Sequence, residues 1–312
     1  MLFPKLNQLQ EAGYKALENR QFERALRIAR RIHKKRNTSA FEIEGRAYWG
    51  LGRTDEAIAA LEAGAAAAPS VYLFWSYLGH YYSDLGNYEK AIECLNRGMF
   101  LDAPEGEFEY NLAVVHGRNG NPEMALLYLE RFNWQDSAFN QALVRASRAY
   151  WLARVDRAEE ALQECDQASL HINEETDADS RSRIVSTRAY AYHLLGRPSE
   201  SVRRLAHEAL QILKTDEAAR WLLREVDGKP SASARKGVLT IEGRRSHPTT
   251  GKIEAYTTVF AVLAETEKQA LEMVRPFEPL ESQSTLRVVK IDWLDPYPDV
   301  PMGVYDVELE KQ

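Results

Sequence analysis

The strongest constraint on the fold of this 312-residue chain is that it repeats itself. Small residues recur at Ala25, Ala57, Ala91, Ala125 and Ala158, followed by Ser201, at steps of 32, 34, 34, 33 and 43. Ala29, Leu61, Leu95, Leu129, Leu162 and Leu205 keep the same steps, and Gly52, Gly86, Gly120, Ala153 and Gly196 form a third series in register. Periods of this size mark stacked supersecondary units, none of which can bury its apolar face alone.

The clearest copy is VYLFWSYLGHYYSDLGNYEKAIECLNRGMFLDAP, residues 71–104. It carries Trp75, Leu78, Gly79 and Tyr82 in the spacing W-x2-L-G-x2-Y, followed by Gly86, Tyr88, Ala91 and Leu95. This copy resembles the tetratricopeptide repeat. The copy before it keeps Gly45, Tyr48, Gly52, Ala57, Leu61 and Pro69, and the one after it Leu112, Ala113, His116, Gly120, Ala125 and Leu129. The resemblance covers about residues 6–227 and implies a mainly α fold, an α-solenoid of helix-turn-helix repeats.

The residues explain themselves physically. Trp75, Leu78, Gly79 and Tyr82 put one apolar stripe on a first helix. Gly45, Gly79, Ala113, Ala146 and Ala189 are small where a neighbouring helix packs. Gly52, Gly86, Gly120 and Gly196 stand where the first helix should end in a left-handed residue. Six repeats are expected, at 6–37, 38–71, 72–105, 106–138, 139–172 and 182–214. The fifth has Ala153 in place of the usual glycine, and the insertion HINEETDADS precedes the sixth. TDEAARWLLREVD (215–227) reads as a capping helix with a polar outer side.

The solenoid is expected to end at 227, with a linker over 228–236 in the Gly-, Pro- and Ser-rich GKPSASARKG. GVLTIEG and KIEAYTTVFAVLA then read as strands around a hairpin loop, RRSHPTTG. TEKQALEMVRPF reads as a helix capped by Thr266, STLRVVKIDWL as a third strand and GVYDVEL as a fourth. The order ββαββ predicts a small α+β domain over 237–312, one helix over an antiparallel sheet, marginal alone and suited to docking on the solenoid.

Charge divides unevenly. The whole chain carries −6, while residues 237–312 hold 8 Lys plus Arg against 13 Asp plus Glu, a net of −5. A general nucleic-acid binder is disfavoured by this balance. A hydrophobic share of 45% excludes wholesale disorder. Two cysteines make neither a disulfide framework nor a Cys-rich metal site, and no segment approaches the ~20 apolar residues of a membrane span. MLFPKLNQLQ lacks a signal-peptide layout, so a cytoplasmic location is expected.

Chemistry is hard to find. None of the seven histidines forms an H-E-x-x-H pair, and no phosphate-cradling glycine loop or G-x-S-x-G elbow occurs. His116 occupies a core aromatic position. Glu174, Glu175, Asp177 and Asp179 read as a solvated loop before a helix start rather than a cation site. Cys94 and Cys165 sit within apolar pattern as inert thiols. No catalytic residue, cofactor or metal is expected. The one enzymatic alternative, His247, Arg244, Arg245 and Asp292 around the hairpin loop, has no linking spacing.

The resemblance implies that first helices line a concave groove. Mapping the repeats puts Tyr14, Arg46, His80, Val114, Ser147 and Tyr190 in one row, with Trp49 and Tyr150 in another and Tyr110 in a third. Tyr77, Asn111 and Trp151 flank them, and Arg183 joins the set. Trp, Tyr and Arg dominate binding energy at interfaces. The Lys/Asn carboxylate clamp of chaperone cofactors has Gln10 and Tyr14 at its first positions here, so an acidic chaperone tail is not the expected ligand. A second surface is basic: Arg24, Arg27 and Arg31 share a face of the second helix, beside Arg30 and Lys34. It reads as a solvated outer face, a docking strip for an acidic partner, or a seat for the acidic C-terminal unit. The leading function is a non-enzymatic scaffold or adaptor that holds a partner protein segment in the aromatic-lined groove. The alternative is a dedicated one-to-one binder, an immunity protein or effector chaperone.

Overall fold

The computed structural model describes residues 5–104, 106–131, 141–174, 176–247 and 250–309. The chain forms two compact units, Met1–Phe139 and Asn140–Gln312.

The first unit is four helical hairpins: α1 (Leu6–Glu18) with α2 (Phe22–His33), α3 (Ser39–Gly50) with α4 (Thr54–Ala67), α5 (Tyr72–Asp84) with α6 (Tyr88–Gly98), and α7 (Glu107–Arg118) with α8 (Pro122–Arg131). Helices α2, α4 and α6 also pack on the next first helix, α3, α5 and α7 respectively. The small residues do what the pattern demanded. A Cβ added at Gly45 would fall 2.6 Å from Leu61, and one at Gly79 would fall 2.6 Å from Leu95. Ala25, Ala57, Ala91 and Ala125 have no exposed surface.

The second unit starts with α9 (Gln141–Arg154) and α10 (Ala158–Ser169), then α11 (Ala178–Leu194) and α12 (Ser199–Ile212), then α13 (Glu217–Asp227). Strands β1 (Arg235–Ser246) and β2 (Ile253–Ala264) follow, then α14 (Glu267–Val274), a 3-10 turn at Arg275–Phe277, β3 (Arg287–Pro296) and β4 (Gly303–Leu309). The four strands form one sheet in the order β3-β1-β2-β4, antiparallel throughout. Thr266 caps α14 by accepting from the Gln269 amide.

The turn within each hairpin carries one left-handed residue, which aligns the repeats without reference to side chains. These residues are Arg20 (φ 55), Gly52 (73), Gly86 (74), Gly120 (79), Asp156 (65) and Gly196 (62). The fifth repeat thus departs from expectation: Asp156, not Ala153, holds the glycine's place. The α9 backbone stays helical to Arg154, so its turn comes three residues later. Ala161 and Cys165, fully buried, then take the places of Ala57 and Leu61, and Ala149 that of Gly45.

Two further expectations change. Helix α13 does more than close the helical pairs with a polar side. Ala219 and Leu222 share one core with Val304 and Val307 of β4, Phe260 of β2 and Ala206 of α12. Arg220 of α13 is buried and pairs with Asp306 of β4 at 3.0 Å. The Gly/Ser-rich segment after Asp227 is fastened rather than free: the Met302 amide donates to Lys229 O and the Tyr297 amide to Ala234 O. On α12's side, Gln211 Nε2 donates to Glu278 O at 3.0 Å, and Lys214 Nζ reaches the buried Glu278 carboxylate at 2.7 Å.

Candidate partner-binding faces

The side chain six positions before each left-handed residue occupies one equivalent place on the first helices. In the first unit these are Tyr14, Arg46, His80 and Val114, and in the second Tyr150 and Tyr190. All six are half-buried or exposed, while the helix faces behind them are buried. Ser147 is therefore displaced from the row. It is 2% exposed and accepts a long hydrogen bond from Arg183 Nη1 at 3.5 Å. The three-residue shift of the turn after α9, to Asp156, is the cause, and it moves Tyr150 into the row.

In the first unit the row is wired from helix to helix. Gln10 Nε2 donates to Ser39 Oγ at 3.0 Å, the Tyr14 hydroxyl to Glu42 Oε2 at 2.7 Å, and Ser76 Oγ to Glu107 Oε1 at 2.6 Å. Glu42 is a buried carboxylate, and its other oxygen accepts from Arg46 Nη1 at 3.1 Å. The Arg46 guanidinium also lies 5.3 Å from the Tyr77 ring centroid and 6.0 Å from that of Tyr14. Such cation–π contacts with a planar guanidinium gain from partial desolvation. Burial, and then the hydrogen bond to Glu42, push the Tyr14 phenol above its usual range, so it stays a donor.

Trp49 and His80 are less available than the sequence implied or differently engaged. Trp49 stacks on buried Tyr81. His80 is exposed and sits 3.3 Å from Asp84. Tyr110 and Asn111 are half-buried on α7. His116 stacks on Tyr128 with centroids 5.3 Å apart, and burial lowers its pKa.

In the second unit, a cavity of about 330 Å³ opens between α9, α11 and α13, lined by Tyr150, Arg154, Ser186, Thr187, Tyr190, Glu217, Ala218 and Trp221. The rings of Tyr190 and Trp221 meet edge to face at 5.7 Å, and His193 approaches Trp221 at 5.9 Å. Thr187 Oγ1 is buried at this cavity without a hydrogen-bond partner. Trp151 packs edge-on against Tyr150 at 4.6 Å, and Arg183 pairs with Asp179 at 2.7 Å. Sequence reasoning missed Trp221 and Glu217, because α13 was read only as a cap, and Thr187 of α11. The available signal was the tryptophan of α13, off the Ala219 and Leu222 face that enters the core.

The other candidates fall apart or stay bland. Arg24, Arg27, Arg30, Arg31 and Lys34 are all exposed on α2 and its exit, and none forms an ion pair among the described residues. Arg244 and Arg245 belong to β1 rather than to a loop. Asp292 pairs with Val238, six residues along that strand from Arg244 and so about 20 Å away. The proposed hairpin-loop cluster is therefore not assembled. Its Pro248 and Thr249 lie outside the described residues. Asp177 caps α11: burial raises its pKa, but bonds from the Ser180 amide and hydroxyl outweigh this and lower it. Glu175 lies outside the described residues. Burial raises Cys94 to about 11 and Cys165 to about 12, so both thiols are inert at neutral pH. Among the described residues no His, Cys, Asp and Glu cluster could hold a metal ion, and no helix is long and apolar enough to cross a membrane.

The tetratricopeptide repeat family model matches residues 11–72 and 42–103, and the strand-rich region lies outside both matches. No curated protein sequence matches the chain significantly. Among solved structures, a chain of the APC/C hetero-tetramer Cut9–Hcn1 aligns at TM-score 0.58 and 14% identity. That match covers 69% of this chain but only 41% of the other. PilF of Pseudomonas aeruginosa aligns at TM-score 0.58 and 15% identity over 70% of this chain and 97% of its own. A tetratricopeptide repeat protein from Parabacteroides merdae gives 0.51 and 13% over 71% and 92%. Identities this low speak to fold alone. The family match at residues 11–103, with the helical hairpins that continue beyond it, gives this chain the fold of a tetratricopeptide-repeat solenoid followed by a small antiparallel sheet.

Proposed function

We propose that the chain is a non-enzymatic interaction module that holds a segment of a partner protein on its first helices. The observation that carries this reading is the Tyr14–Glu42–Arg46–Tyr77 cluster. It presents a half-exposed guanidinium whose position is set by a buried carboxylate and two rings. Pre-organised Arg and Tyr side chains lose little entropy on binding and serve as anchors. In the second unit, Tyr150, Tyr190 and Trp221 line a cavity of mixed polar and apolar character. A peptide carboxylate or backbone carbonyl suits Arg46 in the first unit, and, taken by itself, the cavity of the second unit suits a bulky side chain.

The test is site-specific photocrosslinking in extract of the native host. A crosslinker replacing Tyr77 or Tyr190 should capture a common partner, and one at Glu56 on a second helix should not. Capture from Glu56 alone would reject the first-helix assignment.

A dedicated one-to-one binder, such as an immunity protein or effector chaperone, is the second reading. The sheet built into the core of α12 and α13 favours it, because repeats alone suffice for many adaptors. One partner at 1:1 stoichiometry distinguishes it from weak binding of many peptides. The exposed basic strip on α2 is a secondary contact for an acidic segment, and salt should weaken that contact. Two unpaired, buried cysteines suit a reducing cytoplasm.

A further inference from the structure

A second cavity of about 330 Å³ lies within the second unit, between α12 and α13 on one side and α14 and β4 on the other. It is separate from the first-helix faces. Its apolar wall is made by Leu223, Met273, Phe277 and Val304. Its charged lining consists of His207, two acids and three bases.

Both acids are already spoken for. Asp227 accepts from Arg203 Nε at 2.8 Å on one oxygen and from Arg203 Nη2 at 2.6 Å on the other. Glu272 accepts from Arg275 Nε at 3.2 Å and Nη2 at 3.0 Å in the same two-pronged way. Arg203 and Arg275 stand outside the cavity, and Arg203 also pairs with the exposed Glu200, so each acid of the lining is matched by an arginine at the rim. The three bases are Arg220, Arg224 and Lys229, and among the described residues Lys229 forms no ion pair.

Arg220 is the informative group. It is 7% exposed, its Nη1 is held by Asp306 of β4, and its Nε is buried with no hydrogen-bond partner. A buried guanidinium with one N–H unsatisfied leaves positive charge at the cavity wall that Asp306 only partly engages. Arg224 stands one turn further along α13, with Nη1 donating to Val304 O at 2.6 Å and its guanidinium 4.4 Å from the Tyr305 ring centroid. Burial, with Arg220's repulsion assisting, lowers the Arg224 pKa. Two glycines leave room for this arrangement: a Cβ on Gly303 would fall 2.7 Å from Arg224 Cγ, and one on Gly228 would fall 2.6 Å from Met302 O.

We propose that this cavity binds a small amphipathic carboxylate, with its head on Arg224 beside the buried Arg220 and its apolar body against Phe277, Met273 and Val304. A carboxylate offsets the two like charges of Arg220 and Arg224 at once, which a neutral ligand cannot do. The volume falls at the small end of ligand pockets, about 300–1,000 Å³.

Octanoate is the probe, titrated calorimetrically into the full chain, with octanamide and acetate as controls. The expected result is 1:1 binding of octanoate, with octanamide and acetate each at least tenfold weaker. Arg224→Gln should weaken octanoate at least tenfold, and Met273→Trp, which fills the apolar wall, should abolish binding in a chain whose circular dichroism is unchanged. If Met273→Trp does not fold, Val304→Phe takes its place with the same expectation. No octanoate binding to the native chain, equal binding of octanamide, equal binding of acetate, or full binding by a folded cavity-filled variant would each overturn the proposal.

Discussion

The indole of Trp49 on α3 lies flat on the ring of Tyr81 on α5, with centroids 3.9 Å apart and planes 5° from parallel. An aromatic expected to await a partner is thus engaged between the first helices of consecutive repeats. Its stacked face is part of how those helices hold their spacing, and only its remaining surface is open to a ligand.

Trp49→Ala should therefore destabilise the first unit by about 2 kcal/mol, below the ~3–5 of a fully buried tryptophan because the ring is only half-buried. Trp49→Phe should recover most of that loss. Urea unfolding checks both, and an Ala variant as stable as the native chain would remove the stack from the account.

Glu42 and Tyr14 should be coupled. Tyr14→Phe and Glu42→Gln each disturb the 2.7 Å hydrogen bond, so the double variant should cost less than the sum of the two. The expected coupling is about 1 kcal/mol, measured by a double-mutant cycle. Strict additivity would mean that the bond contributes nothing to stability.

Asp216 does two jobs at the start of α13. Its Oδ1 accepts from the Ala219 amide at 2.9 Å and its Oδ2 from Ser182 Oγ at 2.6 Å. Asp216→Ala should cost about 1 kcal/mol, mostly for the cap, because the Ser182 hydroxyl keeps Ala209 O as an acceptor at 3.0 Å. Asp216→Asn should keep much of it, as read by thermal unfolding.

Backbone handedness gives a prediction of opposite signs. Gly86 has φ 74 with nothing within 4 Å of an added Cβ, so Gly86→Ala pays only the left-handed penalty, about 1 kcal/mol. Asp156 bears that penalty natively at φ 65, so Asp156→Gly should be neutral or slightly stabilising. Chemical denaturation of the two variants tests this.

Stability should fall as pH drops below neutrality. Burial pushes the imidazoles of both His116 and His207 below the ordinary 6.5; at His207 Asp227 opposes the shift and Arg203 assists it. Below 6.5 the unfolded chain binds more protons at these sites than the folded one, so protonation favours unfolding. The contribution is fully present above the unfolded pKa and is lost as pH falls through the folded values. Melting temperature should decline between about pH 7 and about pH 5, and His207→Gln should flatten the decline.

Much of this architecture was legible in the chain itself. The series through Ala57, Ala91 and Ala125 and the turn glycines Gly52, Gly86 and Gly120 mark local events, a close helix contact and a left-handed cap, that need only a few neighbouring residues to specify. The order ββαββ after Asp227 was readable for the same reason, since alternation and caps are local signals. The fifth repeat was misaligned because Asp156 can adopt the left-handed conformation without being a glycine. Composition therefore pointed to Ala153, and the row lost Tyr150 to Ser147. The aromatic character of the first-helix face was visible, but not that Trp49 stacks on Tyr81.

What only the tertiary structure decided lies in contacts distant along the chain. Lys214 meets Glu278 across 64 residues and Arg220 meets Asp306 across 86, and from them come the shared core of α13 with β4 and the cavity beside it. No period links such pairs. The sequence by itself determined the repeated hairpins, because each is written in local backbone and packing preferences. The position of the sheet against α13, the buried guanidinium of Arg220 and the cavity around it were decided by long-range packing, where the energy depends on which surfaces meet rather than on which residues follow one another.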